Sequence, residues 1–147
     1  CRALAEQFQD AGVEVVIGAA MGAVQMAYEV SRQLECENFF AEREDGKMTL
    51  RRGFVVKPGM KVLLVEDVVT TGGSVKEVME IVREAGGEIV GVGSIVDRTN
   101  GKMDFGVPFK SVIAVDVQAW ERQDGPVCKE GEVELVKAGS RKLPVKK

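Results

Sequence analysis

The sequence predicts an α/β fold in which helices flank a largely parallel β-sheet. The first reason is that short β-branched runs alternate along the chain with segments whose apolar residues recur at helical spacing. The second is that residues 62–65 are apolar throughout, as is usual for a parallel strand covered on both faces. The length of 147 residues suits one domain, and we predict a single domain over residues 1–147.

The first part of the chain predicts a helix, a strand and a second helix. Apolar residues recur at helical spacing over residues 2–11, and Gly12 is a natural stop for that helix. Residues 13–17 are mostly β-branched and predict a strand. Helical spacing returns over residues 23–34. This order predicts a strand followed by a crossover helix.

A β-hairpin is predicted next. Residues 38–43 and 48–54 flank the dipeptide Asp45-Gly46. That dipeptide suits the positive φ angles of a type I′ turn, which joins antiparallel strands. We expect the hairpin to be long and mobile.

The second half of the chain predicts further units of the parallel sheet. The apolar strand at residues 62–65 ends where two carboxylates begin, and a helix follows Ser74 and stops at Gly86. Residues 89–96 and 111–117 predict two more strands. The alternation of strand and helix up to residue 96 argues for a parallel sheet with right-handed crossovers, and residues 111–117 supply a further strand.

The composition excludes several classes of function. With 20 basic and 23 acidic residues the net charge is −3, so no global positive field favours nucleic acid or anionic membranes as partners. The longest apolar run is about half of the ~20 residues that a membrane crossing needs. Histidine is absent, which excludes His-based catalytic triads and zinc sites that use a histidine ligand. The 3 cysteines form no CxxC pair, and their odd number without a signal peptide predicts reduced thiols and a cytoplasmic location.

Residues 62–74 carry the most informative chemistry. The predicted strand delivers Glu66 and Asp67 to the carboxyl edge of the sheet, where open α/β proteins bind ligands. The loop that follows combines hydroxyls, glycines and a helix N-terminus, all suited to a phosphate. Carboxylates beside a phosphate site suit the hydroxyls of an attached sugar. An alternative is that Ser74 and Glu77 form a capping box, which would make the loop an ordinary helix entry.

As a whole, residues 62–74 resemble the 5-phosphoribosyl 1-diphosphate (PRPP) signature of the type I phosphoribosyltransferases. Other segments resemble the bacterial and archaeal orotate phosphoribosyltransferases; they are residues 16–22, 27–30, 40–44, 51–54, 94–98 and 133–137. The resemblance implies the type I fold, a parallel sheet flanked by helices with a flexible β-hairpin loop and a hood. It also implies transfer of a phosphoribosyl group from PRPP to orotate in pyrimidine biosynthesis, which yields orotidine 5-monophosphate and pyrophosphate.

The same resemblance implies which residues bind PRPP and orotate. Glu66 and Asp67 would contact the ribose hydroxyls as catalytic residues, and Thr70 and Arg98 would face orotate. The implied PRPP-binding residues are Ala19, Ala20, Met21, Gly22, Glu66, Asp67, Val68, Val69, Thr70, Thr71, Gly72, Gly73 and Ser74. Mg²⁺ is implied as a cofactor carried mainly by substrate oxygens, without a dedicated protein metal site. Considered without the family, Asp97 and Arg98 would be an ordinary solvated ion pair.

The hairpin cations Arg43 and Lys47 are also catalytic residues by resemblance. In the family this hairpin closes over the pyrophosphate, usually in the neighbouring subunit, so a homodimer with shared active sites is implied. Considered alone, the two residues would be an unremarkable charged loop. Arg43 stands where many family members have lysine, and the histidine frequent in that loop is absent.

The resemblance also implies an incomplete hood. Family members have an N-terminal segment before the position that matches Cys1, and that segment forms part of the hood and the orotate pocket. Two alternatives to an orotate enzyme therefore stay open. One is a phosphoribosyltransferase for another base, and the other is a PRPP-binding regulatory or catalytically incomplete protein.

Overall fold

A computed structural model of the chain describes residues 1–117 and contains one six-stranded sheet. The strands are β1 (Val15–Ala19), β2 (Glu37–Glu44), β3 (Lys47–Leu50), β4 (Lys61–Val69), β5 (Glu88–Asp97) and β6 (Phe109–Ala114). Their order in the sheet is β3-β2-β1-β4-β5-β6. The β2–β3 pair is antiparallel and the other neighbouring pairs are parallel. The predicted α/β fold is confirmed.

In the described part of the chain three α-helices accompany these strands, namely α1 (Arg2–Ala5), α2 (Val24–Leu34) and α3 (Gly73–Glu84). The single helix predicted over residues 2–11 is wrong in detail, because α1 gives way to a 3₁₀ helix at Glu6–Ala11. Lys110 of β6 donates a hydrogen bond to the carbonyl of Gln7 in this stretch, a contact that local spacing does not encode. Within residues 1–117, no helix is long and apolar enough to cross a membrane.

The sheet separates two apolar clusters because alternate residues of a strand point to opposite faces. On β4, Val62 and Leu64 belong to one cluster, and Leu63 and Val65 belong to the other. The first cluster includes the α3 residues Val75, Val78, Met79 and Val82. The second includes residues of α1 and α2, namely Leu4, Ala5, Met26, Ala27 and Val30. Both faces of β4 are therefore covered, as its apolar run predicts.

Strand β4 is longer than its apolar run. The predicted end at residue 65 is wrong, because β4 continues to Val69. Over this extension Glu66 lies opposite Ser94, and Val69 lies opposite Asp97, both on β5. Backbone pairing needs no apolar side chain, so hydrophobicity alone underestimates the strand. As a result both carboxylates lie on a strand whose position is set by a neighbour.

The hairpin forms at the predicted turn. Asp45 has φ 49° and Gly46 has φ 84°, the pair of positive angles that a type I′ turn needs. Strand β3 ends at Leu50 rather than at residue 54, and Phe54 folds back to stack on Phe39 with ring centroids 4.8 Å apart. The returning chain therefore packs on the hairpin instead of extending it.

Contacts divide the chain into a unit over Cys1–Asp116 and a second over Val117–Lys147. The first unit holds every element named above. The segment at residues 133–137 that resembles the orotate enzymes lies outside the described residues. The single domain over residues 1–147 stays a prediction.

Candidate functional site

The carboxyl end of β4 carries two adjacent carboxylates with different surroundings. Glu66 is half-buried, whereas Asp67 is exposed. Burial, reinforced by the neighbouring Asp67 carboxylate, raises the pKa of Glu66 from an ordinary 4.5 to about 8. Asp67 accepts a hydrogen bond from the backbone N–H of Val68 at 2.8 Å. Near neutral pH the pair therefore consists mainly of a protonated Glu66 beside another carboxyl group.

The loop between β1 and α2 lies against Asp67. A Cβ atom on Gly22 would overlap the Asp67 carboxylate and lie 2.8 Å from its Cγ, so only glycine allows this approach. The loop is anchored by the backbone N–H of Ala20, which donates to the carbonyl of Ala41 on β2 at 2.7 Å. The Ala20–Met21 peptide bond is cis, and the Met21 side chain is exposed. Two predicted site segments that are distant in sequence thus meet at one edge of the sheet.

The loop after β4 leads into α3 without a side-chain cap. Gly72 is the N-cap residue with φ 70°, and no side chain there accepts a helix N–H. Ser74 lies inside the first turn of α3, and Glu77 pairs with Arg43 instead of reaching back to the helix start. The capping-box alternative is therefore wrong. The first backbone N–H groups of α3 have no intrahelical partner, which leaves them able to bind an anion.

Met103 and Phe105, which the sequence analysis does not identify as site residues, pack against this loop. A Cβ atom on Gly72 would lie 2.9 Å from the Phe105 ring and 3.2 Å from the Met103 sulfur. A Cβ atom on Gly73 would meet only Thr71 Oγ1, at 3.7 Å. Gly72 thus faces a packed apolar wall, whereas a Cβ atom on Gly73 would make only an ordinary van der Waals contact among the described residues. No spacing in the sequence signals this contact, because it joins the loop to a segment beyond β5.

Arg98 follows β5 and lies next to the same loop. Its backbone N–H donates to the carbonyl of Val69 at 2.9 Å, and its side chain is exposed. The alternative of an Asp97–Arg98 ion pair is wrong. Asp97 is only 2% exposed, and its carboxylate accepts hydrogen bonds from Thr99 and Gly101 instead. Among residues 1–117 the Arg98 guanidinium forms no hydrogen bond or ion pair, and it is exposed near the carboxyl edge of the sheet.

The carboxylate of Asp97 stays charged in this buried place. Burial acts to raise its pKa, but hydrogen bonds from Thr99 and from the N–H of Gly101 outweigh burial, so the pKa is lowered overall. The hydrogen-bond distances are 2.7 Å to the Thr99 N–H, 2.7 Å to its hydroxyl and 2.8 Å to Gly101. Asp97 is thus an anchor for the turn that carries Arg98.

The two hairpin cations lie beside α3 of their own chain. The Arg43 guanidinium contacts both carboxylate oxygens of Glu77, at 2.7 and 2.9 Å, and donates to the carbonyl of Gly46 at 2.8 Å. This guanidinium lowers the pKa of Glu77. Lys47 is exposed and lines a cleft between the hairpin and α3. Among residues 1–117, neither cation hydrogen-bonds to the loops at residues 19–22 and 70–74.

The site offers few ligands for a metal ion. In the described part of the chain, no group of three or more Asp, Glu, Cys or His side chains is placed to hold one. The carboxylates of Glu66 and Asp67 lie near the carboxyl end of β4, and the Asp67 carboxylate packs against Gly22. Two carboxylates suit Mg²⁺ when substrate phosphates and water supply its remaining ligands.

Comparison with known proteins agrees with this geometry. Residues 1–123 match the family model for the phosphoribosyl transferase domain. The chain is 58% identical over 142 residues to an orotate phosphoribosyltransferase of Caldanaerobacter subterraneus subsp. tengcongensis, covering 97% of this chain and 74% of the relative. One orotate phosphoribosyltransferase of Thermotoga maritima is 54% identical over 140 residues, covering 95% of this chain and 74% of the relative.

Solved structures share the same architecture. The orotate phosphoribosyltransferase of Aeropyrum pernix aligns with a TM-score of 0.64 and 25% identity, over 78% of this chain and 69% of that one. An adenine phosphoribosyltransferase of Rhodothermus marinus aligns with a TM-score of 0.68 and 20% identity, over 78% of this chain and 76% of that one. The sheet edge, its two loops and these alignments lead to one conclusion: the chain belongs to the phosphoribosyl transferase family.

Proposed function

We propose that this protein is an orotate-specific transferase, which moves the phosphoribosyl group of PRPP onto orotate and releases orotidine 5-monophosphate and pyrophosphate. The single observation that carries the proposal is the meeting of three features at one sheet edge. These are the Glu66–Asp67 pair, the Gly22 loop packed against it, and the uncapped start of α3. The choice of orotate rests on relatives named orotate phosphoribosyltransferase that are more than half identical to this chain.

Each feature has a role that its chemistry suits. The N–H groups and hydroxyls of residues 70–74 bind the 5-phosphate, and Glu66 and Asp67 accept hydrogen bonds from the ribose hydroxyls. Residues 19–22 face the pyrophosphate, and Arg98 presents its planar donors to the orotate ring and carboxylate. This arrangement leaves the anomeric carbon of the ribose between pyrophosphate and base.

The reaction needs positioning and charge stabilisation more than a protein nucleophile. A ring nitrogen of orotate loses its proton to solvent or to the departing pyrophosphate and forms the new bond to the anomeric carbon, while the bond from that carbon to the pyrophosphate oxygen breaks. The bonding electron pair leaves with pyrophosphate, and positive charge develops on the ribose ring. The carboxylates at the end of β4 stabilise that charge. Holding both reactants in line supplies much of the remaining acceleration.

The protonation state of Glu66 couples ligand binding to pH. Without ligand, burial and Asp67 keep the pKa of Glu66 near 8. A bound cation or hydrogen-bond donor favours the charged carboxylate, so binding releases a proton. Glu66 and Asp67 would help to hold Mg²⁺, with substrate oxygens and water as its other ligands, and the bound ion would supply positive charge to balance the departing pyrophosphate.

The hairpin cations complete the proposal. Arg43 and Lys47 stabilise the departing pyrophosphate in the neighbouring subunit of a homodimer, which makes each active site a product of two chains. In support, both are cationic side chains on a hairpin whose tip is exposed. Arg43 must then exchange Glu77 for phosphate oxygens, a partner that a guanidinium binds at least as well.

A panel of bases tests the proposed function. Pyrophosphate release is measured with PRPP, Mg²⁺ and either orotate, uracil, hypoxanthine or adenine, and PRPP binding is followed separately by thermal unfolding. We expect PRPP to stabilise the protein and orotate to be the preferred acceptor. An adenine phosphoribosyltransferase has a similar fold. Preference for adenine would therefore mean that the protein is a phosphoribosyltransferase for another base. PRPP binding without turnover on any base would favour a regulatory or catalytically incomplete protein.

A further inference from the structure

The end of β5 and the chain after it contain a partly buried hydrogen-bond network that the proposed reaction does not use directly. Asp97 accepts from the N–H and hydroxyl of Thr99 with its Oδ1, and from the N–H of Gly101 with its Oδ2. The Thr99 hydroxyl in turn accepts the backbone N–H of Met103 at 3.1 Å. A single carboxylate thereby organises the loop over residues 98–105, which we call the 98–105 loop.

This loop touches the site at two separate points. At its start, the Arg98 N–H is hydrogen-bonded to the carbonyl of Val69, immediately before the phosphate-binding residues. At its end, Met103 and Phe105 form the wall against which Gly72 packs. Phe105 is itself buried, at 6% exposure, and its ring lies edge-on to Phe109 with centroids 5.1 Å apart. Movement of the loop would therefore disturb the base side and the phosphate side together.

We propose that Asp97 and Thr99 are positioning residues that hold the 98–105 loop, so that one loop both presents Arg98 to the base and supports Gly72 behind the phosphate. The inference rests on the proposed function, because it assigns the two ends of the loop to the two substrates. Neither residue touches a substrate. Their effect passes through Arg98 at one end and through Met103 and Phe105 at the other.

The test compares two substitutions of Thr99 that differ in one group. Thr99→Val keeps the shape but removes the hydroxyl that links Asp97 to the Met103 N–H. Thr99→Ser keeps that hydroxyl. We expect Thr99→Val to raise the KM for orotate and the dissociation constant for PRPP by about tenfold, the scale of one lost hydrogen bond to a charged group. Thr99→Ser should restore both to near wild-type values.

Two further variants separate positioning from other effects. Arg98→Ala should weaken orotate use alone, because it removes a base contact and leaves the loop in place. Lys102→Ala alters an exposed side chain of the same loop, and it should change neither the KM for orotate nor the dissociation constant for PRPP. In the double variant of Arg98→Ala and Thr99→Val, the orotate penalty should be smaller than the sum of the single penalties, while the PRPP penalty should persist in full.

A purely structural role predicts a different outcome. Partial unfolding lowers the amount of active protein, so kcat falls while the KM for orotate and the PRPP dissociation constant stay unchanged. That pattern for Thr99→Val, or failure of Thr99→Ser to restore binding, would overturn the positioning role. Should Thr99→Val not fold, Asp97→Asn replaces it, since an amide retains one acceptor and loses the one that Gly101 needs. We expect the same double loss from it, and unchanged binding would overturn the inference.

The failure of this inference differs from the failure of the proposed function. Wild-type protein that binds no PRPP would refute both. If the wild type binds PRPP but prefers another base, orotate is wrong, and Thr99→Val is still measured with PRPP and that base. If the wild type binds PRPP and uses orotate while Thr99→Val binds both normally, only the positioning role is refuted.

Discussion

The guanidinium of Arg43 on β2 forms a bidentate ion pair with the carboxylate of Glu77 on α3, with N–O distances of 2.7 and 2.9 Å. The residues are 34 positions apart, and their side chains are 43% and 38% exposed. The ion pair holds the hairpin against its own helix while leaving water free to compete. If Arg43 acts on pyrophosphate in a partner subunit, this contact has to break in each catalytic cycle.

The ion pair leads to a prediction for Glu77→Gln. Removing the charge weakens the hold on Arg43, so we expect kcat/KM for PRPP to rise, with little change in the thermal midpoint because the pair is exposed to solvent. Glu80→Gln is the matched control, since Glu80 is an exposed carboxylate one turn further along α3. Steady-state kinetics at varied PRPP measure the effect. A fall in kcat/KM would mean that Glu77 positions the hairpin productively instead of restraining it.

The raised pKa of Glu66 predicts how unliganded stability depends on pH. Between its ordinary pKa of 4.5 and its folded pKa of about 8, the folded chain holds a proton that the unfolded chain has lost. The contribution of Glu66 to the free energy of unfolding is therefore complete below pH 4.5 and is lost as the pH rises through about 8.

Urea unfolding of the wild type and of Glu66→Gln across this pH range measures the contribution. We expect the difference in unfolding free energy between them to change steadily in favour of Glu66→Gln as the pH rises, since glutamine has no proton to lose. Asp67→Asn should lower the upper end of this pH range, because it removes a neighbouring charge that helps to raise the pKa of Glu66 in the folded chain. A difference that does not vary with pH would show that Glu66 titrates normally.

The two loop glycines should respond differently to a side chain. A Cβ atom on Gly73 would make no close contact among the described residues, so Gly73→Val should unfold near the wild-type temperature without ligand while stabilisation by PRPP and Mg²⁺ is largely lost. Gly72→Ala drives a methyl group toward Phe105 at a positive φ angle, and it should lower the unliganded midpoint as well. Differential scanning fluorimetry with and without PRPP separates the two. If PRPP stabilises Gly73→Val as much as the wild type, the 5-phosphate does not bind at this loop.

The planar donors of Arg98 predict a selective loss of base use. We expect Arg98→Ala to lower kcat/KM for orotate by roughly ten- to 150-fold, the range for one lost hydrogen bond to a charged group, with PRPP binding close to wild type. Pyrophosphate release at varied orotate, alongside PRPP titration, measures both. Equal losses on the two substrates would point to a general folding defect.

A shared active site predicts that two defective chains can help each other. Lys47→Ala should lower kcat more than it raises the KM for PRPP, because the loop would act on the departing pyrophosphate only when closed. Asp67→Asn should be inactive because its contacts to the ribose hydroxyls are weakened. Mixing the two variants should restore part of the activity, since one site in a mixed dimer combines an intact Lys47 with an intact Asp67. No recovery despite verified subunit exchange would exclude sharing.

Much of the fold is determined by the sequence itself, because it depends on neighbouring residues. Asp45-Gly46 tolerates two positive φ angles, so the type I′ turn is a local property of the dipeptide. The apolar run at residues 62–65 demands cover on both faces, which only a central strand has. The spacing of the two carboxylates and the glycine loop after that strand likewise places them at the carboxyl edge.

Other properties of the site were decided only by the tertiary structure, because they join residues that are distant along the chain. Gly72 packs against Phe105, and Arg43 forms an ion pair with Glu77. Each pair is more than 30 positions apart in sequence, so no local pattern encodes the contact. Asp97 has an arginine beside it in sequence yet bonds to the turn that follows, since burial makes backbone and hydroxyl donors its nearest partners. The pKa of Glu66 has the same origin: local sequence sets which side chains are present, and packing sets how much water and which charges surround them.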